Sequence, residues 1–175
     1  MTRTKSAPLL FQAVCIPALF LVSNCAFGQD TLPKNWRRPT RTDAASNWRD
    51  KSSTRFLTVR ADFDGDGKTD IAELLVNPST NQCALFVKLY SGEWQMIDRP
   101  GDLKSLDRFG IDLVKAGKYE TACGKRYGDF ACAHGEPDYL VLSRPAIDFI
   151  YTESSDSIFY WDAEQHKFLK ILMSD

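Results

Sequence analysis

Apolar and polar residues exchange places along this chain in short runs, at the spacing of β-strands. Phe56-Leu57-Thr58-Val59, Ile71–Val76, Ala84–Tyr90 and Glu93–Ile97 form a first group of strand candidates. Asn77-Pro78 stops the second run, and Ser91-Gly92 is a compact hairpin signal between the last two. Further on, Ile111–Val114, Lys118–Thr121, Tyr139–Leu142, Ala146–Thr152, Ser157–Trp161 and Lys167–Met173 follow, broken by turn-rich segments such as Ala116-Gly117 and Arg144-Pro145. Roughly nine strands about ten residues apart predict a mainly β protein: a single antiparallel β domain, built as a partial propeller, sandwich or barrel. Asp98–Asp107 is polar, contains Pro100 and Gly101, and reads as a loop. Thr42–Asp50, with Asp43 as its cap, predicts one short N-terminal helix, the only appreciable one. The late aromatics Phe149, Tyr151, Phe159, Tyr160, Trp161 and Phe168 read mostly as core.

Composition adds little until the N-terminus is considered. The chain has 175 residues, 43% hydrophobic and 26% charged, with net charge −1, values ordinary for a globular protein. Arg3 and Lys5 followed by the apolar run Leu9–Val22 and the small residues of Ala26-Phe27-Gly28 have the layout of an export signal. The expected organisation is a signal over 1–28, a basic leader over 29–55 carrying the short helix, and a β domain over 56–175. Cleavage after Gly28 gives a periplasmic or secreted protein. The competing readings are a retained anchor and a lipidated Cys25, since Val22-Ser23-Asn24-Cys25 looks like a degraded lipoprotein signal. In the leader, Lys34, Arg37, Arg38, Arg41, Arg49, Lys51 and Arg55 outnumber the acids, and Asn-Trp-Arg occurs at 35–37 and 47–49. Basic residues interleaved with Trp suit nucleic acid, but export argues against it. The expected role is a solvated leader that packs its Trp residues on the domain.

Export also sets the cysteine reading. Cys123 and Cys132 bracket a short Gly-containing loop and predict a disulfide worth about 2–3 kcal/mol. Cys83 is left as a buried thiol in an apolar strand. A zinc site from Cys123, Cys132 and His134 is the alternative, though the spacing fits no common zinc pattern.

The most informative stretch is Ala61–Asp70, A-D-F-D-G-D-G-K-T-D. Asp62, Asp64, Asp66 and Asp70 crowd four carboxylates together with only Lys68 to offset them, and a hard, oxygen-seeking cation relieves that repulsion. Calcium is the expected ion, with the four carboxylates and the backbone carbonyl of Lys68 as ligands, while Gly65 and Gly67 allow the sharp turn. A plain acidic turn is the bland reading. The pattern D-x-D-G-D-G-x-x-D resembles the calcium loops of FG-GAP and VCBS-type repeats, the strand–loop–strand units of integrin-like β-propellers. It also fits the EF-hand expression with Glu73 at position 12. The β-rich flanks favour strand–loop–strand, which makes Glu73 a solvent-side residue. Only one such loop is present, so the resemblance covers its surroundings and not the architecture.

For function, no G-x-S-x-G or H-E-x-x-H motif occurs, and Glu153 with Asp156 reads as a surface pair rather than a glycosidase dyad. The expectation is therefore a non-enzyme. The layout is similar in kind to periplasmic immunity proteins that act against cell-wall hydrolases, with G-K-Y-E-T-A-C-G-K (117–125), G-E-P (135–137) and I-F-Y-W-D (158–162) as the segments that carry the likeness. That resemblance implies a protein partner, a cell-wall hydrolase or effector. Lys125, Arg126, Tyr127 and Phe130 are the expected contact residues, combining charge with aromatic anchors; a plain connection is the bland reading. No nucleic acid and no stable membrane insertion are expected. The alternative function is a calcium-dependent carbohydrate or cell-wall binding module.

Overall fold

The computed structural model describes residues 31–126, 132, 136–152 and 155–174. The predicted export signal lies outside them. Leu32–Asp175 forms one compact unit. It is a mainly β, antiparallel domain, and no helix among the described residues is long and apolar enough to cross a membrane.

The first four strands follow one another as a meander. β1 (Thr58–Ala61), β2 (Asp70–Asn77), β3 (Gln82–Lys88) and β4 (Trp94–Asp102) lie in the order β1-β2-β3-β4. A second sheet holds β5 (Phe109–Val114), β8 (Ala146–Tyr151), β9 (Ser155–Asp162) and β10 (Lys167–Ser174) in the order β10-β9-β8-β5. The connection between β5 and β8 carries a small third sheet, β6 (Gly117–Glu120) paired with β7 (Tyr139–Leu142).

Alternation explains how the two larger sheets meet. Val59, Ala72, Leu74, Val76, Leu85 and Val87 of the first share one core with Ile111, Ile147, Phe149 and Phe159 of the second. That is a sandwich, rather than a propeller or barrel. β2 is buried along nearly its whole length because its other face is covered too: Leu75 packs with Ala84, Phe86 and Trp36 of the leader. A separate small core joins Leu140 and Leu142 of β7 to Ala146, Ile158 and Ile171 of the second sheet.

The leader is part of the body. Trp36 packs edge-on against Phe86 at 4.9 Å, and Trp48 stacks on Phe56 at 5.1 Å, as the sequence led us to expect. Trp48 approaches so closely that a Cβ on Gly110 would sit 2.5 Å from its ring, which explains the glycine there.

Four expectations need correction. The predicted helix Thr42–Asp50 is instead a turn followed by a 3-10 segment, Asn47–Lys51. Asp43 does not cap it; its carboxylate binds Arg37 and the Thr40 N–H. The leader is not simply solvated, because Arg49 is fully buried, donating to the carbonyls of Arg55, Leu106 and Phe109 and lying over Trp48. The predicted loop Asp98–Asp107 is mostly ordered: β4 runs on through Pro100-Gly101 to Asp102, and a 3-10 turn covers Lys104–Arg108. Proline is tolerated there because β4 is an edge strand with bulges. Finally, Glu73 is only 3% exposed, and its carboxylate accepts from Arg38 of the leader at 3.0 Å.

Candidate metal centre

β1 and β2 pair up to Ala61↔Asp70, so residues 62–69 form the connection between them. Gly65 and Gly67 take φ of +85° and +82°, which L side chains rarely adopt. Gly65 has a second reason to lack a side chain. The Arg144 guanidinium donates to the Asp64 carbonyl, and a Cβ on Gly65 would lie 2.3 Å from it.

The aspartates organise the loop through its own N–H groups. Asp62 accepts from Gly65 at 2.7 Å and from Gly67 at 3.0 Å, one bond to each oxygen. Asp64 accepts from Asp66 at 3.0 Å, and Asp66 from Lys68 at 2.8 Å. Asp70 is fully buried and ties three segments together: it accepts from Phe63 at 2.9 Å, Asp64 at 3.4 Å, and Tyr90, beyond β3, at 2.9 Å. Asp70 Oδ2 is filled by the Phe63 and Asp64 N–H groups, whereas Asp70 Oδ1 and both oxygens of Asp62 carry one such bond each and keep a further lone pair.

Asp62, Asp64 and Asp70 present carboxylate oxygens all within 4.8 Å of one another. Among the described residues this is the one group of three or more His, Cys, Asp or Glu side chains close enough to hold an ion. Burial pushes the Asp70 carboxyl above its ordinary range; the Phe63 and Tyr90 N–H groups oppose that rise, and the charge of Asp64 adds to it. A buried carboxylate with like-charged neighbours is the setting a bound cation would relieve, so the residues fit a hard metal ion.

Of the predicted ligands, three converge and Asp66 stands outside the triad, exposed and engaged with Lys68 N–H. The Lys68 ammonium, which has no lone pair to offer a metal, lies 4.3 Å from the Tyr90 ring centroid; its predicted part in the site is its backbone carbonyl. Sequence reasoning missed Arg144, Phe63 and Tyr90. No local signal marks Arg144, which comes from the turn before β8, eighty residues away.

The predicted disulfide Cys123–Cys132 is formed, with a Cα–Cα distance of 5.2 Å, and so removes both thiols from any zinc site. Its base is tightly built. α1 (Ala122–Lys125) is capped by Thr121, fully buried, whose hydroxyl accepts from Gly124 N–H at 3.1 Å and donates to the Pro137 carbonyl at 2.7 Å. Lys125 reaches back to the Met173 carbonyl at 2.8 Å, while Arg126 is exposed and ends α1 in the left-handed region. Tyr127 and Phe130 lie outside the described residues, as do His134 and Glu153. Cys83 is a buried free thiol whose pKa burial raises to about 11.

Comparison with protein-family models, with curated proteins and with solved structures gives no match.

Proposed function

We propose that this protein is an exported, non-catalytic calcium-binding β-sandwich that binds another protein, as an inhibitor or immunity factor against a secreted cell-wall-degrading enzyme. What supports it first is the stapled connection between β6 and β7. Its base is fixed by the Cys123–Cys132 bond, the buried Thr121 and the Lys125 tether, and Arg126 follows directly on that base. Contact residues held at a braced base lose little entropy on binding, which suits a tight protein partner. The wall-enzyme partner comes from the sequence layout of export signal, β domain and a single acidic loop.

Calcium is the ion we assign to the loop. Asp62, Asp64 and Asp70 would supply carboxylate oxygens and Lys68 its carbonyl. An oxygen-only set of three carboxylates and a carbonyl, completed by water, suits the adaptable shell of calcium better than the strict octahedron of magnesium. Bound there, the ion would clamp β1, β2 and the end of β3, because Asp70 already joins all three.

The test is capture from a periplasmic extract with the tagged full chain in calcium. A wall hydrolase should be recovered, its activity should fall on addition of the pure protein, and Arg126→Glu should weaken both effects. Retention on insoluble peptidoglycan with no protein captured refutes the partner reading. Hydrolysis of wall material by the pure protein refutes the non-catalytic one. The mature N-terminus should be Gln29; a membrane-bound species starting at lipidated Cys25 refutes the location.

A further inference from the structure

A groove of about 270 Å³ opens at one end of the sandwich, between the turn joining β7 to β8 and the turn joining β9 to β10. We propose that it binds one neutral pyranose unit of a glycan.

Size comes first. Sites for larger organic ligands run from roughly 300 to 1,000 Å³, so this groove suits a single ring unit. Its lining supplies three kinds of surface. At the end of β9, Trp161 on one face of the strand and Tyr160 on the other each line the groove in part, and the Trp161 ring is of the kind that covers the C–H face of a sugar. Ser143 and Arg144 form one wall, with hydroxyl and guanidinium donors. Asp162 and Glu164 form the other, with carboxylate acceptors. The two walls exclude the charged alternatives. An anion placed against Arg144 meets two carboxylates, and a cation placed against the carboxylates meets the guanidinium. A neutral ligand with many hydroxyl groups can donate to one wall and accept from the other without leaving a charge uncompensated.

The polar groups are already held in place. Asp162 accepts from the Glu164 and Gln165 N–H groups at 2.9 and 2.8 Å, and from the Gln165 side chain at 3.2 Å. Those bonds keep its carboxyl below the usual range and ionised. Burial and the Asp162 charge raise the Tyr160 phenol, which therefore stays a neutral donor. Arg144 is anchored through its bond to the Asp64 carbonyl. Trp161 packs edge-on against Phe168 at 5.3 Å, and Phe168 meets Phe63 of the acidic loop at 6.3 Å. Preorganised donors and acceptors beside an aromatic ring are what a sugar, with its weak individual contacts, requires. Among the described residues the groove shares no lining residue with the stapled connection, so the two proposals rest on different residues and either can fail alone.

The test is a titration of the protein in calcium with triacetylchitotriose, followed by the ¹H–¹⁵N signal of the Trp161 indole. That signal should shift saturably with a dissociation constant at or below the millimolar range. Arg144→Gln and Glu164→Gln should each weaken binding by about tenfold, the loss of one hydrogen bond to a charged group. Glu164 is exposed, so its substitution reads the groove even if Arg144→Gln loosens the acidic loop. No indole shift at about 10 mM sugar, well above that range, overturns the proposal. So do binding that both variants leave unchanged and preferential binding of the acidic trisaccharide of galacturonate.

Discussion

The connection between β1 and β2 and the base of the connection between β6 and β7 are both tied by bonds beyond strand pairing, with different chemistry. The first folds its own aspartates onto its own N–H groups and gathers three of them within 4.8 Å. The second is closed by a covalent bond seated on a buried threonine. With the proposed ion bound, the first should answer to acid and chelator, and the second to reductant. Their depth differs as well. Asp70 holds the main sandwich, whereas Cys123 and Cys132 serve a peripheral two-stranded sheet. Damage to the acidic connection should therefore reach the whole fold, and damage to the stapled one should remain local.

The largest effect is expected at Asp70. Replacing it by Ala strands the buried Phe63 N–H and the Tyr90 N–H, at a cost of about 4 kcal/mol. Unfolding should move down by about 10–15 °C for a chain of this size. Asp70→Asn keeps an acceptor oxygen and should lose much less stability in chelator, while losing its response to calcium. If Asp70→Ala melts within a few degrees of the native protein, this residue does not tie the sheet together.

Calcium itself comes next. At a free concentration about one hundred times the dissociation constant, binding to the folded state adds about 2.7 kcal/mol. Calorimetry should show a higher melting temperature in calcium than in chelator, with magnesium a poor substitute. Asp62→Ala and Asp64→Ala should remove most of that difference, and Asp66→Ala should leave most of it. Equal melting temperatures in calcium and chelator would reduce the loop to an acidic turn. Hydrogen exchange of the β6–β7 pair should not change with calcium, which separates the two connections directly.

Breaking the staple with paired Cys123→Ser and Cys132→Ser should cost about 2–3 kcal/mol, felt first as faster exchange in β6 and β7. Thiol titration of the purified mature protein, which lacks Cys15 and Cys25, should find one reactive group, Cys83, and that only after denaturation. Three titratable thiols in protein from the periplasm would show that the bond does not form there.

The sequence disclosed the local features of both connections and not their distant partners, for physical reasons. Both crosslinks are local: D-x-D-x-D spacing and a short Cys–Cys separation leave few geometries. Strand positions were legible too, because alternation against a core is a local signal. What stayed hidden depends on residues far apart. Glu73 looked solvent-facing until Arg38 of the leader covered it, thirty-five residues away. Arg49 read as one more surface cation, yet its partners are backbone carbonyls after residue 105 as well as Arg55 nearby. Asp66 matched the ligand spacing as well as its neighbours did, and only the folded loop shows it outside the triad. The choice of sandwich over propeller likewise depended on which faces share a core.

The smallest effect concerns pH, where the sign should differ between the metal-free and the calcium-bound protein. Asp148 in β8 lies directly across from Asp112 in β5. Burial, then the charges of Asp156 and Asp112, push its carboxyl up to about 6 from an ordinary 3.8. Between those values the folded state holds a proton that the unfolded state has released, so acidification stabilises and the contribution is lost as pH rises through about 6. Burial of Asp70 acts in the same direction without metal. In calcium the loop reverses this, because protonating its carboxylates releases the ion. Below the ordinary carboxylate range both forms should weaken, since Asp43, kept ionised by the Arg37 guanidinium, then loses that partner. Chelated protein should thus gain melting temperature from pH 8 to pH 5 while calcium-loaded protein loses it. Asp148→Asn should stabilise the chelated protein at pH 8 by about 1 kcal/mol, a figure reduced for its partial exposure, and should do nothing near pH 4. If the variant gains nothing at pH 8, the strand-borne carboxylate carries no penalty and the pH contrast belongs to the acidic loop alone.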